Sequence, residues 1–185
     1  MSSQLIDRRA DKSGLRFFLK RHKMFTFFCL FLFGALCWLG QQKLLVVRSE
    51  GGQTRTWRMA SGEIWRIQYV HSVQKTPVEE YFLVTGDNEL VLYETHYQSY
   101  GVGLPFLATD GVFEQKNGYF VLKLHRVFPQ VKFRAGLEAK PEAVIGGCVE
   151  PLYQYYQPGS LMIFTVEPQW RYYSKVIMNF WGEPI

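Results

Sequence analysis

The sequence predicts an all-β domain, either sandwich-like or a partly closed barrel, of about seven to nine short antiparallel strands, preceded by one N-terminal transmembrane helix. Three observations support this fold class. Apolar and polar residues alternate in several short runs, as in residues 63–70, where Trp65, Ile67 and Tyr69 share one face. Turn residues, such as the pair Asn117-Gly118, separate these runs. No long helical pattern follows the apolar segment near the N-terminus, so short strands are expected to form the domain.

The N-terminal region has the pattern of a membrane anchor. Residues 24–40 contain no Asp, Glu, Lys or Arg, and a helix of this length spans roughly 26 Å, close to the thickness of a bilayer core. Residues 1–23 hold seven of the 21 basic residues and two of the 16 acidic ones, so this end is expected in the cytoplasm. We therefore expect a basic cytoplasmic head at 1–23, an inner-membrane anchor at 24–40 and a periplasmic β domain at 41–185. The alternative is a cleaved signal peptide, with Ala35-Leu36-Cys37 as its cleavage site.

The charge distribution argues against a nucleic-acid binder. The net charge of +5 lies entirely in residues 1–23, and residues 24–185 carry equal numbers of acids and bases. Cys29 and Cys37 lie in the apolar segment, so Cys148 has no intrachain disulfide partner in the β domain. We interpret Cys148 as a small packing residue and the lone His125 as a surface or capping residue.

The strands can be placed in chain order from the alternating runs and the turns between them. They are predicted at residues 44–47, 57–59, 63–70, 80–85, 89–96, 112–116, 119–124, 131–134 and 161–166. Several aromatic residues near the C-terminus are assigned to the core or a sheet surface, or to a partner-facing or membrane-resting face if they prove exposed together: Tyr153, Tyr155, Tyr156, Trp170, Tyr172 and Tyr173.

Polar side chains cluster around the segment that joins the third and fourth predicted strands. Three strands that run up, down and up should bring five of these side chains to one end of one sheet: His71, Glu79, Glu80, Glu94 and His96. A three-residue hairpin loop would place Glu80 opposite Glu94, whereas a two-residue loop would place Glu79 there. Either register opposes two carboxylates, so a cation or a shared proton should lie between them, and Lys75 is one candidate.

This polar cluster has four interpretations. It forms a structural ion-pair network, a metal site built from His71, Glu80, Glu94 and His96, a carboxylate pair for general acid–base catalysis, or a docking or ligand-binding surface. No nucleophile motif, compact metal-ligand spacing or cofactor fingerprint accompanies the cluster, so we predict no cofactor and no metal. Gly101 and Gly103 lack the strand-to-helix context of a dinucleotide-binding loop.

The segments HSVQKTPVEEY, LYET and QSYGVGLP, at this spacing, resemble a family of small extracytoplasmic proteins called domain of unknown function eighteen-fifty. The resemblance is most specific over residues 63–105 and continues more loosely to residue 166. The resemblance implies the following recurring positions: His71, Ser72, Thr76, Pro77, Glu79 or Glu80, Glu94, Gly101, Gly103, Leu104 and Pro105.

Genes of that family commonly lie beside TAXI-type tripartite ATP-independent periplasmic (TRAP) transporters, and the family has no established activity. The resemblance therefore implies a non-enzymatic, membrane-tethered accessory protein whose partner is the TRAP membrane subunit or the TAXI-type solute receptor. The alternatives are a periplasmic hydrolase or isomerase and a small-ligand binder that use the Glu/His cluster. A concave pocket around Glu94 and His71 would favour these alternatives, whereas a flat face with internally paired charges would favour docking.

Overall fold

The computed structural model describes residues 22–38, 40, 42–99, 111–134, 136 and 138–181. Eleven strands occur in these residues: β1 (Lys43–Ser49), β2 (Thr54–Met59), β3 (Ile64–Val70), β4 (Pro77–Val84), β5 (Leu90–Tyr97), β6 (Val112–Lys116), β7 (Tyr119–Phe128), β8 (Val131–Arg134), β9 (Glu142–Ile145), β10 (Cys148–Glu150) and β11 (Leu161–Pro168). The helices are α1 (residues 22–38), α2 (Leu152–Tyr155) and α3 (Gln169–Phe180).

Residues 1–41 and 42–185 form two separate compact units. In the first unit, α1 exposes its apolar side chains, among them Phe27 at 73% and Phe31 at 69%. None of the helices in the described ranges is both long and apolar enough to cross a membrane. The transmembrane anchor predicted at residues 24–40 stays a prediction.

In the second unit, the strands form two antiparallel sheets. One sheet has four strands in the order β2-β1-β11-β8, and the other has seven in the order β10-β9-β3-β4-β5-β7-β6. One core cluster contains buried residues from both sheets, so the sheets face each other across it. Its centre is Trp65 of β3, whose ring stacks on Phe82 of β4 at 4.9 Å and on Phe164 of β11 at 5.2 Å between centroids. The predicted β class is confirmed, with two packed sheets and no closed barrel.

The number of strands exceeds the prediction by two, because β9 and β10 form a short hairpin that the sequence analysis missed. Gly146 and Gly147 make its turn, both with positive φ (56° and 82°), a conformation that glycine adopts without steric cost. The hairpin pairs β9 with β3 and extends the larger sheet at the edge next to the predicted polar cluster.

We expected no long helix in the C-terminal half, and this expectation was wrong. α3 extends over twelve residues directly after β11. Its Trp170, Tyr172 and Tyr173 are residues with high β propensity, so the aromatic content suggested sheet. The three- and four-residue spacing of its exposed apolar side chains is nevertheless helical.

Candidate functional site

The polar cluster lies on the face of the seven-stranded sheet that points away from the core, which we call the outer face. β3, β4 and β5 are antiparallel neighbours, as expected from the sequence. Two adjacent rows of side chains cross these strands on the outer face: Gln68, Glu79 and His96 in one row, and Arg66, Tyr81 and Glu94 in the next.

Four of these side chains contact one another and form what we call the outer-face cluster: Glu79, Tyr81, Glu94 and His96. The Nε2 atom of His96 lies 2.5 Å from Oε1 of Glu94, and its Nδ1 lies 4.0 Å from Oε2 of Glu79. The hydroxyl of Tyr81 donates a hydrogen bond of 2.6 Å to Oε2 of Glu79. Partial burial and this bond to a carboxylate raise the pKa of Tyr81 to about 12. The imidazole therefore links two carboxylates, and the phenol stays a donor at neutral pH.

The predicted opposition of two glutamates across the hairpin was wrong. The pairs Val84–Leu90 and Phe82–Leu92 follow the register of the three-residue loop. The register then shifts, so that Glu94 faces Tyr81 and not Glu80. The physical reason is a β-bulge, in which one strand carries an extra residue that its neighbour does not match.

Because of the bulge, Glu79 faces His96, and Glu80 faces Thr95 on the core side of the sheet. The carboxylate of Glu80 accepts a hydrogen bond of 3.0 Å from the hydroxyl of Tyr69. Burial raises the pKa of Glu80, and the bond from Tyr69 offsets only part of this shift. Glu80 is therefore a structural residue between the sheets and not part of the outer-face cluster.

His71 belongs to the turn between β3 and β4 and is buried, with 7% of its surface exposed. Its Nδ1 accepts hydrogen bonds from the backbone N–H groups of Val73 and Gln74, both at 3.2 Å. The ring proton must then lie on Nε2. This arrangement shapes the turn, and it places His71 away from Glu94.

The remaining predicted residues of this turn have peripheral roles. Lys75 adopts a positive φ of 54° and forms an exposed ion pair with Glu138, so it does not neutralise the carboxylates of the outer-face cluster. The hydroxyls of Thr76 and Ser99 share a hydrogen bond of 3.0 Å between the turn and the end of β5. Two further predicted residues are exposed at this end of the sheet: Ser72 and Pro77.

Four predicted residues lie outside the described residues: Gly101, Gly103, Leu104 and Pro105. The four side chains considered as metal ligands do not converge, because Glu80 lies on the core side and His71 in the turn. Within the described ranges, no group of three or more His, Cys, Asp or Glu side chains has the geometry of a metal site.

An open groove of about 330 Å³ lies beside the outer-face cluster. Its lining residues are Gln68, Tyr69, Val70, Pro77, Val78, Glu79, Lys140 and Glu142. Within it, the side-chain amide of Gln68 donates a hydrogen bond of 2.6 Å to Oε2 of Glu142. Neither Glu94 nor His96 lines the groove, so the short carboxylate–imidazole contact faces solvent outside it.

Sequence reasoning missed the contribution of Tyr81 and Arg66 to this face. The Nη1 atom of Arg66 lies 3.4 Å from the Tyr81 hydroxyl. The period of two could have identified Tyr81, because it lies two residues after Glu79 on the same strand and so shares its face. Arg66 required knowledge of the β3–β4 register, which the irregular six-residue turn at 71–76 does not reveal.

Comparison with known proteins agrees with the resemblance deduced from the motifs. No curated protein and no solved structure matches the chain significantly. Residues 66–152 match the model of one family, described as domain of unknown function DUF1850. The matched region includes β4, β5 and every residue of the outer-face cluster. The predicted resemblance of this chain to the DUF1850 family is therefore confirmed over residues 66–152.

Proposed function

We propose that this protein is a membrane-anchored, extracytoplasmic accessory protein of a TAXI-type TRAP solute transport system, and that it acts by docking through the outer-face cluster. One observation supports docking over the alternatives. The two carboxylates of the cluster contact the same imidazole on an open sheet face, where Glu79, Glu94 and His96 are each exposed by about a quarter (26%, 23% and 24%). Partly exposed, preorganised charges of this kind give a protein interface specificity and orientation.

The geometry favours docking over catalysis. A catalytic acid–base pair would be expected to face the site where a substrate is enclosed. Here the Glu94–His96 pair faces solvent, and the neighbouring groove is lined by Glu79 and Glu142 instead. The groove favours a second candidate function, the binding of a small polar ligand beside the docking face.

The proposed partner is the TRAP membrane subunit or the TAXI-type receptor, and this choice rests on the family resemblance. The proposed anchor at residues 24–40 is supported by the apolar side chains that α1 exposes around its surface. An anchor raises the effective concentration of the domain at a membrane partner without additional contacts. A modest docking interface would then suffice for function.

The test is recovery of the tagged protein from native membranes in mild detergent, with mass spectrometry of the proteins bound to it. We expect the TRAP membrane subunit or the receptor to be enriched with the parent. The double variant Glu79→Gln, Glu94→Gln should lose this partner while it remains folded. Glu89→Gln is the matched control, because Glu89 is a partly exposed carboxylate near the opposite end of the same hairpin. Recovery of neither transport protein with the parent would refute the proposed partner.

A further inference from the structure

Helix α3 exposes an apolar face that points away from the β sandwich. Five side chains spaced three, four, three and one residues apart share this face. Their exposed fractions are large: Trp170 62%, Tyr173 44%, Ile177 56%, Phe180 85% and Trp181 78%. No residue of α3 is buried. A surface helix of a globular protein normally turns its apolar face inward, so α3 has the reverse orientation.

The polar side of α3 attaches the helix to the four-stranded sheet. Lys175 and Tyr172, on that side, are partly buried. The Nζ atom of Lys175 lies 3.1 Å from Oε2 of Glu167, at the end of β11, and the Nη1 atom of Arg48 lies 2.8 Å from Oε1 of the same carboxylate. The Lys175–Glu167 ion pair ties α3 to β11 while the aromatic side chains of the helix face outward.

The first residue of α3 lies next to the point where the chain leaves the N-terminal apolar segment. The backbone N–H of Gln169 donates a hydrogen bond of 2.9 Å to the carbonyl of Gln42, and Lys43 pairs with Pro168. Gln42 follows Gly40 by two residues, so the end of that segment lies within about 8 Å of Gln42 along the chain. An apolar segment that spans a bilayer would therefore bring the start of α3 to the bilayer surface.

The composition of α3 fits the interface between a bilayer and water. Its apolar face is rich in Trp, Tyr and Phe, which prefer the headgroup level of membranes. Arg171 is an exposed basic residue of the same helix, and α3 contains no Asp or Glu. An exposed basic side chain on a helix with an exposed aromatic face complements anionic lipid headgroups.

We propose that α3 lies in the headgroup region of the lipid bilayer, with the apolar face from Trp170 to Trp181 inserted and Arg171 at the phosphates. This inference rests on the membrane anchor of the proposed function, and it adds a second lipid contact. Two contacts at opposite ends of the chain, joined at Gln42 and Gln169, would hold the β sandwich in one orientation on the membrane. The outer-face cluster would then have a defined height and direction relative to a transporter partner.

The test measures the surroundings of single sites in the full chain. The protein, with Cys29, Cys37 and Cys148 changed to Ser, is reconstituted into nanodiscs of phosphatidylcholine and phosphatidylglycerol. A fluorophore is attached through Ile177→Cys and, as a matched control, through Val149→Cys, a β-domain side chain of similar exposure (56% and 53%). Quenching by a nitroxide on the lipid chains is compared with quenching by iodide in the water. We expect several-fold stronger lipid quenching at 177 than at 149, and the reverse order for iodide.

Two results would overturn the inference. Strong iodide quenching at position 177 would show that the face stays in water. Protection from both quenchers would show that protein covers it, either another segment of this chain or a second copy.

A third probe, through Phe31→Cys, reports on the anchor separately. Lipid quenching at 31 without lipid quenching at 177 would refute the interfacial helix and leave the anchor intact, whereas the absence of lipid quenching at 31 would refute the anchor itself.

Discussion

The substitution Glu80→Gln tests the assignment of Glu80 to the core side of the sheet. Glu80 lies between Ile67 and Thr95, both with 0% exposure, and accepts a hydrogen bond from Tyr69. Glutamine has nearly the same shape and can accept the same bond. Its extra N–H can reach toward the hydroxyl oxygen of Thr95, which has no hydrogen-bond partner among the residues that the structure describes. We therefore expect the variant to remain within about 1 kcal/mol of the parent at pH 4.

The free energies of unfolding of the parent and the Glu80→Gln variant should diverge as the pH rises. Burial raises the pKa of Glu80 in the folded state above its ordinary value of 4.5. Above that pH the unfolded parent releases the proton while the folded parent retains it. The free energy of unfolding of the parent then falls, by at most about 1.4 kcal/mol per pH unit, until the pH passes the folded pKa. Glutamine has no proton to release, so the variant should become more stable than the parent with increasing pH.

The assay is guanidinium unfolding of the full chain in mild detergent from pH 4 to pH 8, followed by intrinsic tryptophan fluorescence, to which the buried Trp65 contributes. The informative quantity is the difference in unfolding free energy between variant and parent, because other titrating groups cancel in it. Tyr69→Phe is a second variant, expected to lose about 1–3 kcal/mol by leaving the carboxyl without its partner. A difference that is flat with pH, or a variant less stable than the parent at pH 8, would contradict a protonated, buried Glu80.

Three further predictions concern stability, each checked by the same unfolding measurement. Glu167→Gln should cost about 1 kcal/mol at pH 7, because hydrogen bonds from two basic side chains outweigh burial and lower the pKa of Glu167. This cost should decrease as the pH falls through the lowered pKa, and a cost that increases toward acidic pH would contradict it. Gly111→Ala should cost about 2 kcal/mol or more, since an added Cβ would overlap the backbone oxygen of Lys123, and an unchanged midpoint would refute this contact. His71→Ala should cost about 1–3 kcal/mol through two lost backbone hydrogen bonds, with partial rescue by His71→Asn, whose side chain can cap the same turn.

The sheet order of β3, β4 and β5 could be predicted because local signals determine it. Alternation and turn residues located these strands, and the antiparallel order followed from short connections. The β-bulge could not be predicted, because one unmatched residue leaves the alternation on each side of it intact. That single residue, in β5, moved Glu94 and His96 to the outer face opposite Tyr81 and Glu79, and it left Glu80 opposite Thr95.

The composition of the candidate site was predictable only in part. The strand period predicted that Glu94 and His96 share one face, but they share the outer face with Glu79 only because of the bulge. The roles of His71 and Lys75 depend on the backbone geometry of the turn, which the sequence does not encode directly. His71 accepts hydrogen bonds from its own turn, and Lys75 adopts a positive φ. The outward orientation of α3 was equally hidden, because a helical wheel shows that an apolar face exists and not which way it points.

The claim that the outer face of β3–β5 is the docking surface is tested most directly by photo-crosslinking in native membranes. A photo-reactive amino acid replaces Lys123, which faces Glu94 across the sheet, or Lys132, an exposed lysine on β8 of the other sheet. The proposal predicts a crosslinked product with a TRAP membrane subunit or TAXI-type receptor from position 123 and none from position 132. Crosslinks from position 132 alone, or from neither position while the parent still recovers its partner, would show that the protein docks through a different surface.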